Sequence, residues 1–362
     1  MPSLRVKVAL IPSVVLLAWS WTAAQQRPRA VPVDPVQAIV DAFRSHQVVA
    51  FSDHHGSAVM MAFELQVLSD SRIRAVINDI VIENGNARYQ DVMDRYVRGD
   101  DVSYEELRHV WHETTQTQTL GPRDGVIPER YQVIRKLNQG LPRPRQLRVL
   151  LGDPPIDWSV VKTPADGRRW VEQRDSHAAE VIRREVVLKN RRALVVYGQG
   201  HLQRKNLLAN YSSDGLAGTV VSILEASTGT KVFSIWWLTS RKRPPAETAA
   251  WPVPSLAVVR GTTLGALDFT DVETAPPSRA TIRDGKIVPV AREEWLTLRL
   301  EDQFDAVLKL AEASPTTTVR VPLTREQCAD PWTAEWRRRI AMSTGPQEQA
   351  ALRQLDEDCG TR

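Results

Sequence analysis

The stretch Val48–Gly56 reads VVAFSDHHG. It opens as a short apolar run and stops abruptly in a carboxylate, two imidazoles and a glycine. An apolar run of this length, bounded by polar and turn-forming residues, predicts a strand. From Ser57 the spacing becomes helical (MMAFELQVLSD), so a helix N-terminus follows His54-His55-Gly56 directly. Backbone N–H groups at such an end favour an anion or an oxyanion nearby.

The same alternation extends to both sides. Val36–Arg44 has helical spacing, and Ile73–Ile82 reads as the second strand, closing in Glu83-Asn84-Gly85-Asn86. Helical stretches follow at Tyr89–Val97, Ser103–Thr114 and Pro128–Asn138, the middle one opening on a Ser103-x-x-Glu106 capping pattern. Leu147–Leu151 predicts strand three, ending in Gly152-Asp153-Pro154-Pro155. A long helix is expected from about Asp166 to Lys189. Ala193–Tyr197 predicts strand four, ending in Gly198-Gln199-Gly200-His201. Val220–Leu224 and Lys231–Leu238 read as further strands at one side. Arg283-Asp284-Gly285-Lys286 predicts a hairpin turn, and Phe304–Leu310 fits a strand or a short helix. Strands alternating with helices predict an α/β fold: a mainly parallel sheet flanked by helices on both faces. A β-containing extension and a helical tail, with Trp332, Trp336 and Ile340 at helical spacing, complete the chain.

The 362 residues are 42% hydrophobic and 25% charged, ordinary values for a chain with a substantial core. The net charge of +4 is too slight to argue for nucleic acid. Arg5 and Lys7 precede the apolar run Val8–Trp21 and then Thr22-Ala23-Ala24, the pattern of a secretory signal. Residues 1–24 are therefore read as a leader and 25–35 as a linker. Residues 36–312 form the α/β domain, with a core over 36–240 and an extension over 254–312, and 313–362 form the tail. The reading is of an exported protein, periplasmic or extracellular; an uncleaved membrane anchor is the alternative. No later stretch is long and apolar enough to span a membrane. The only cysteines, Cys328 and Cys359, are an even pair in the tail and read as one disulfide.

In a parallel sheet, ligands bind outside the carboxyl ends of the strands. The four clearest ends would bring Asp53, His54, His55, Glu83, Asp153 and His201 to one mouth. Each has a plainer alternative: a helix cap for His54 or His55, a buried and satisfied acid for Glu83, a turn for Asp153, a helix start for His201. Arg174-Asp175 and Arg183, placed within the long helix, could orient a carboxylate or an oxyanion. His109 and His112 could hold a metal, or lie on a solvated face. Met60 and Met61 are read as core, and Trp236-Trp237 as packing. Asn210-Tyr211-Ser212 fits a glycosylation acceptor. The nucleophile elbow, the H-E-x-x-H zinc motif, the P-loop lysine and C-x-x-C are all missing from the sequence. Histidines and carboxylates then leave two routes to hydrolysis: a histidine that takes a proton from water, or a divalent metal that acidifies it.

The strand ends resemble the erythromycin-esterase, ChaN-like and Tiki superfamily. Asp53-His54-His55-Gly56 with Glu64 resembles its first element, Glu83-Asn84-Gly85-Asn86 the second, and Gly198-Gln199-Gly200-His201 its Gly-x-x-His element. The first element departs in carrying Ser52-Asp53 where Gly-Glu is usual, which keeps a carboxylate but shortens it. The resemblance implies His55 as general base with Glu83 its partner and His201 as a group that polarises substrate. Asp53 is read as catalytic beside them, and Glu64, Asp153 and Arg174 as substrate contacts. A metal would fall to His54, His55, Glu83 and His201. The expected activity is hydrolysis of an ester or amide in a small molecule or peptide. The alternative is a non-catalytic haem- or metal-binding uptake protein, with His54, His55, His109, His112 and Tyr197 as possible ligands.

Overall fold

The computed structural model describes residues 27–53, 57–116, 127–205, 218–238, 244–272, 280–283, 286–289, 298–311, 322–342 and 346–360. The leader reading, His54-His55-Gly56, the glycosylation acceptor at Asn210 and the turn pair Asp284-Gly285 lie outside the described residues.

Seven strands form the main sheet: β1 (Val48–Asp53), β2 (Asp79–Asn86), β3 (Arg148–Asp153), β4 (Ala193–Gly198), β5 (Val232–Trp237), β6 (Ser255–Val258) and β9 (Ala306–Lys309). Their order is β3-β2-β4-β1-β5-β9-β6, and every pairing is parallel except that of β6 with β9. The hairpin stands apart as β7 (Ala280–Arg283) and β8 (Lys286–Pro289), with Arg283 opposite Lys286 as the Asp-Gly spacing predicts. Among the described residues, no helix is long and apolar enough to cross a membrane.

The VVAF run lies at the centre because both of its faces are apolar. Side chains alternate across a strand. Val49 and Phe51 therefore enter one core, with Val36, Met60 and Tyr131 from the helices on that face. Val48 and Ala50 enter the other, with Ala178, Ile182 and Leu224. Met60 and Met61 are buried, as are Trp236 and Trp237. A third, smaller cluster of Leu323, Trp332, Trp336, Ile340 and Leu355 belongs to the tail, where Cys328 and Cys359 form a disulfide.

Four expectations change. The second apolar run is divided: Ser71–Val76 is a helix capped by Asp70, and the strand begins only at Asp79 and runs on through Glu83 to Asn86 with every residue buried. Val220–Leu224 is the start of a helix, Val220–Thr228, because Thr219 and Ser222 form a reciprocal capping box ahead of it. The long helix is two, Pro164–Val171 and Arg174–Ile182, followed by a π-helical turn, so Arg174 stands at a helix start. The strand Lys231–Leu238 is not at one side but beside β1. Phe304–Leu310, left open by its pattern, is the strand β9.

Candidate functional site

Parallel pairing puts the ends of β1, β2, β3 and β4 on one edge. Ile82 stands between Leu151 and Val196, so Glu83 follows between the ends of β3 and β4. Asp53 is level with Gly198. His54 and His55, which continue the chain from Asp53, lie outside the described residues. Ser52 donates to the Gln199 side chain (3.0 Å), tying the end of β1 to the Gly-Gln-Gly-His turn.

Glu83 is the hub. It is 3% exposed. Its Oε1 accepts from Arg174 Nη2 (2.6 Å) and from Gln116 Nε2 (2.9 Å), and its Oε2 accepts from the Gly198 N–H (2.5 Å). A Cβ on residue 198 would lie 3.0 Å from Glu83 Oε2, so glycine is what lets the carboxylate reach this backbone. Arg174 Nε is also 3.9 Å from Asp153 Oδ1. Asp153 accepts from the Thr115 backbone (2.7 Å) and the Thr115 hydroxyl (2.5 Å). Burial pushes the Asp153 carboxyl up to about 7, against the pull of Arg174 and Thr115, and the Glu83 charge adds to the rise.

His201 is held at Nδ1, and its Nε2 faces Glu83. Nδ1 is 2.8 Å from Asp175 Oδ1, and Nε2 is 3.5 Å from Glu83 Oε1. Asp175 Oδ1 also accepts from Val220 N (2.9 Å), the first residue of the helix Val220–Thr228. Burial alone would lower the imidazole, but Asp175 and Glu83 outweigh it, and the His201 pKa lies above its ordinary value. The side chain keeps 24% of its surface exposed. His201 keeps part of its ring within reach of solvent, and an imidazole so placed is suited to giving a proton or polarising a carbonyl. Tyr197 lies beside it, with ring centroids 6.1 Å apart. Its hydroxyl is buried and has no hydrogen-bond partner among the described residues. Burial, with the charges of Glu83 and Asp153, keeps this phenol protonated well above its ordinary range.

The structure thus gathers Glu83, Asp153, Arg174 and His201. It adds Asp175 as the direct partner of His201, and Gln116 and Thr115, which sequence reasoning missed because residues 115 and 116 lie in a segment without periodicity. Glu64 is fully buried and forms an ion pair with Arg130 (Nη2 to Oε2, 2.6 Å), from the helix Ile127–Asn138. Arg183, at the start of the π-helical turn, pairs with Glu180 of the preceding helix at the surface. His109 stacks on Tyr89 and stays half exposed. His112 departs from the solvated-face alternative: it is buried, with its ring 4.5 Å from that of Trp332 and nearly parallel. Burial and then Arg108 push its pKa down to about 3, which keeps it neutral.

Of the set considered for a metal, Glu83 and His201 are described, and Glu83 already accepts from a guanidinium, an amide and a backbone N–H, which disfavours a cation there. Among the described residues no three of His, Cys, Asp and Glu are grouped to hold an ion. Of the residues considered for haem, His112 and Tyr197 are packed inside the protein.

No protein-family model and no curated protein matches the sequence. Solved structures to which the chain is similar include a protein from Bacillus cereus, at 10% identity and a TM-score of 0.47 over 81% of this chain and 97% of that one. The erythromycin esterase EreC, as a mutant in its open conformation, is 11% identical with a TM-score of 0.46, over 79% and 95%. ChaN of Campylobacter jejuni with cofacially bound haem is 10% identical with a TM-score of 0.35, over 57% and 86%.

Proposed function

We propose that the chain is an exported hydrolase of ester or amide bonds, worked by His201 and Glu83 at the carboxyl edge of the sheet. The observation that carries this reading is the placement of His201 between Asp175 (2.8 Å) and Glu83 (3.5 Å) with part of its ring open to solvent. The two carboxylates that face it favour the protonated form of His201. It polarises the substrate carbonyl as water adds, stabilises the oxyanion, and passes a proton to the leaving group. Glu83, saturated by donors, orients Arg174 and His201 and does not itself take the water's proton. That proton goes to His55, two residues on in the sequence from Asp53, which is itself level with Gly198. The leader pattern at 1–24 and the Cys328–Cys359 disulfide both favour an oxidising compartment.

The test is turnover of a panel of carboxylic esters and short peptides by the protein and by His201→Ala, Glu83→Gln and His55→Ala, with circular dichroism to establish folding. Each variant is expected to lose about 100-fold or more in kcat. Variants that stay folded and keep the activity of the wild type overturn the proposal.

A further inference from the structure

Three consecutive backbone carbonyls ahead of the site are each held by a side chain from a different part of the fold. The His112 carbonyl accepts from Arg339 Nη1 (3.0 Å), the Glu113 carbonyl from Asn86 Nδ2 (2.6 Å) and the Thr114 carbonyl from Trp158 Nε1 (3.1 Å). The next two residues are Thr115, which donates twice to Asp153, and Gln116, which donates to Glu83. The strap 112–116 is thus fixed along its backbone just before it delivers two donors to the site.

One of the three holds comes from the tail. Arg339 lies on the helix Pro331–Ala341 and is 3% exposed. Its guanidinium is 4.5 Å from the ring centroids of both Trp158 and Trp332, and its Nε donates to Glu335 (2.6 Å). Trp332 in turn stacks on His112. Its neighbour Arg338 donates to the carbonyls of Val161 and Trp158. A buried cation with its fork filled and both faces covered has one orientation open to it, so the carbonyl it holds is held in register. We propose that Arg339 is a positioning residue for Glu83 and Asp153, acting through the strap 112–116. The tail is then a working part of the site. The kinetic consequence rests on the hydrolase reading; the structural one does not.

Amide hydrogen exchange of the full chain tests this in Arg339→Gln. The Thr115 N–H, bonded to Asp153, is expected to exchange about tenfold faster, as loss of a charge-assisted hydrogen bond would give. Amides of β5 should be unchanged. A residue that merely held the tail would speed exchange within 331–341 and leave Thr115 as it was, and that result overturns the proposal. Should Arg339→Gln fail to fold, Arg339→Lys keeps the cation and the apolar stem but lacks the planar fork. The same rise at Thr115 supports the proposal and unchanged exchange overturns it. On the ester panel, Arg339→Gln is expected to lower kcat together with Gln116→Ala. A wild type without turnover overturns the hydrolase reading alone, and the exchange result still decides the role of Arg339.

Discussion

A methyl group at position 152 would sit 1.7 Å from the Tyr197 hydroxyl oxygen, 2.8 Å from its Cζ and 2.9 Å from the Ile82 carbonyl oxygen. Gly152 is therefore what allows the tyrosine to lie across β2 at the end of β3. Gly152→Ala should destabilise by about 2–3 kcal/mol through overpacking, read from urea unfolding. Tyr197→Phe removes a buried hydroxyl that has no partner among the described residues, so it should cost little alone and recover part of the loss in the double variant. An additive pair would show that the two positions do not meet. Asp153 gives a second prediction, in pH. Its folded pKa of about 7 lies above the ordinary 3.8. A raised carboxyl contributes stability that is complete below 3.8 and is lost as pH rises through about 7. The stability of the wild type relative to Asp153→Asn should therefore fall across that window. A difference that is constant with pH would refute it. His201, also raised, acts in the same direction at higher pH: its contribution is present below 6.5 and lost as pH passes its folded value.

Among the elements, the helix Val220–Thr228 shows where a pattern misleads. Its opening Val-Val-Ser-Ile-Leu is as β-prone as a true strand such as β4. The caps decide it, for Thr219 Oγ1 accepts from the Ser222 N–H (3.1 Å), Ser222 Oγ accepts from the Thr219 N–H (2.8 Å) and Gly229 closes the helix in the left-handed region. Thr219→Ala should cost about 1 kcal/mol, measured by denaturant unfolding, and no loss would show that the cap contributes nothing. The same N-terminus points Val220 N–H at Asp175, so the helix that the pattern concealed also fixes the carboxylate that orients His201. The strands β1, β3, β4 and β5 were legible because strands buried on both faces of a parallel sheet read as short continuous apolar runs. The polar ends of β3 and β4 were legible with them, and that of β2 from its apolar run, which is why Asp153, His201 and Glu83 could be named. Arg174 and Asp175 were visible as a charged pair, but their direction depended on a helix break that periodicity does not mark. Gln116 and Thr115 reach the site from an irregular segment, and only tertiary contacts with Asn86, Trp158 and Arg339 place them.

Across the whole molecule, two of the larger cores lie on opposite faces of one sheet, whereas the tail carries its own small cluster of Leu323, Trp332, Trp336, Ile340 and Leu355. A cluster of that size does not hold three short helices together unaided. The Cys328–Cys359 bond spans 31 residues and closes the loop that contains the helix Pro331–Ala341. In the chain-entropy model such a closure is worth about 3–4 kcal/mol. The tail is then tied to the sheet domain by the Arg108–Asp330 ion pair (2.8 Å), by Arg338 and by Arg339. Converting both cysteines to serine should therefore loosen the tail before the sheet. Limited trypsin cleavage within residues 325–360 is expected to accelerate roughly a hundredfold, the factor that 3–4 kcal/mol allows when only part of it is expressed as local opening. The urea midpoint of the sheet domain should shift far less, because neither main core contains a tail residue. If instead tail cleavage is unchanged, docking through the arginines suffices and the disulfide adds nothing to local order. If tail and sheet lose stability together, the tail is one cooperative unit with the domain, and its cluster is not separate in energy although it is separate in space.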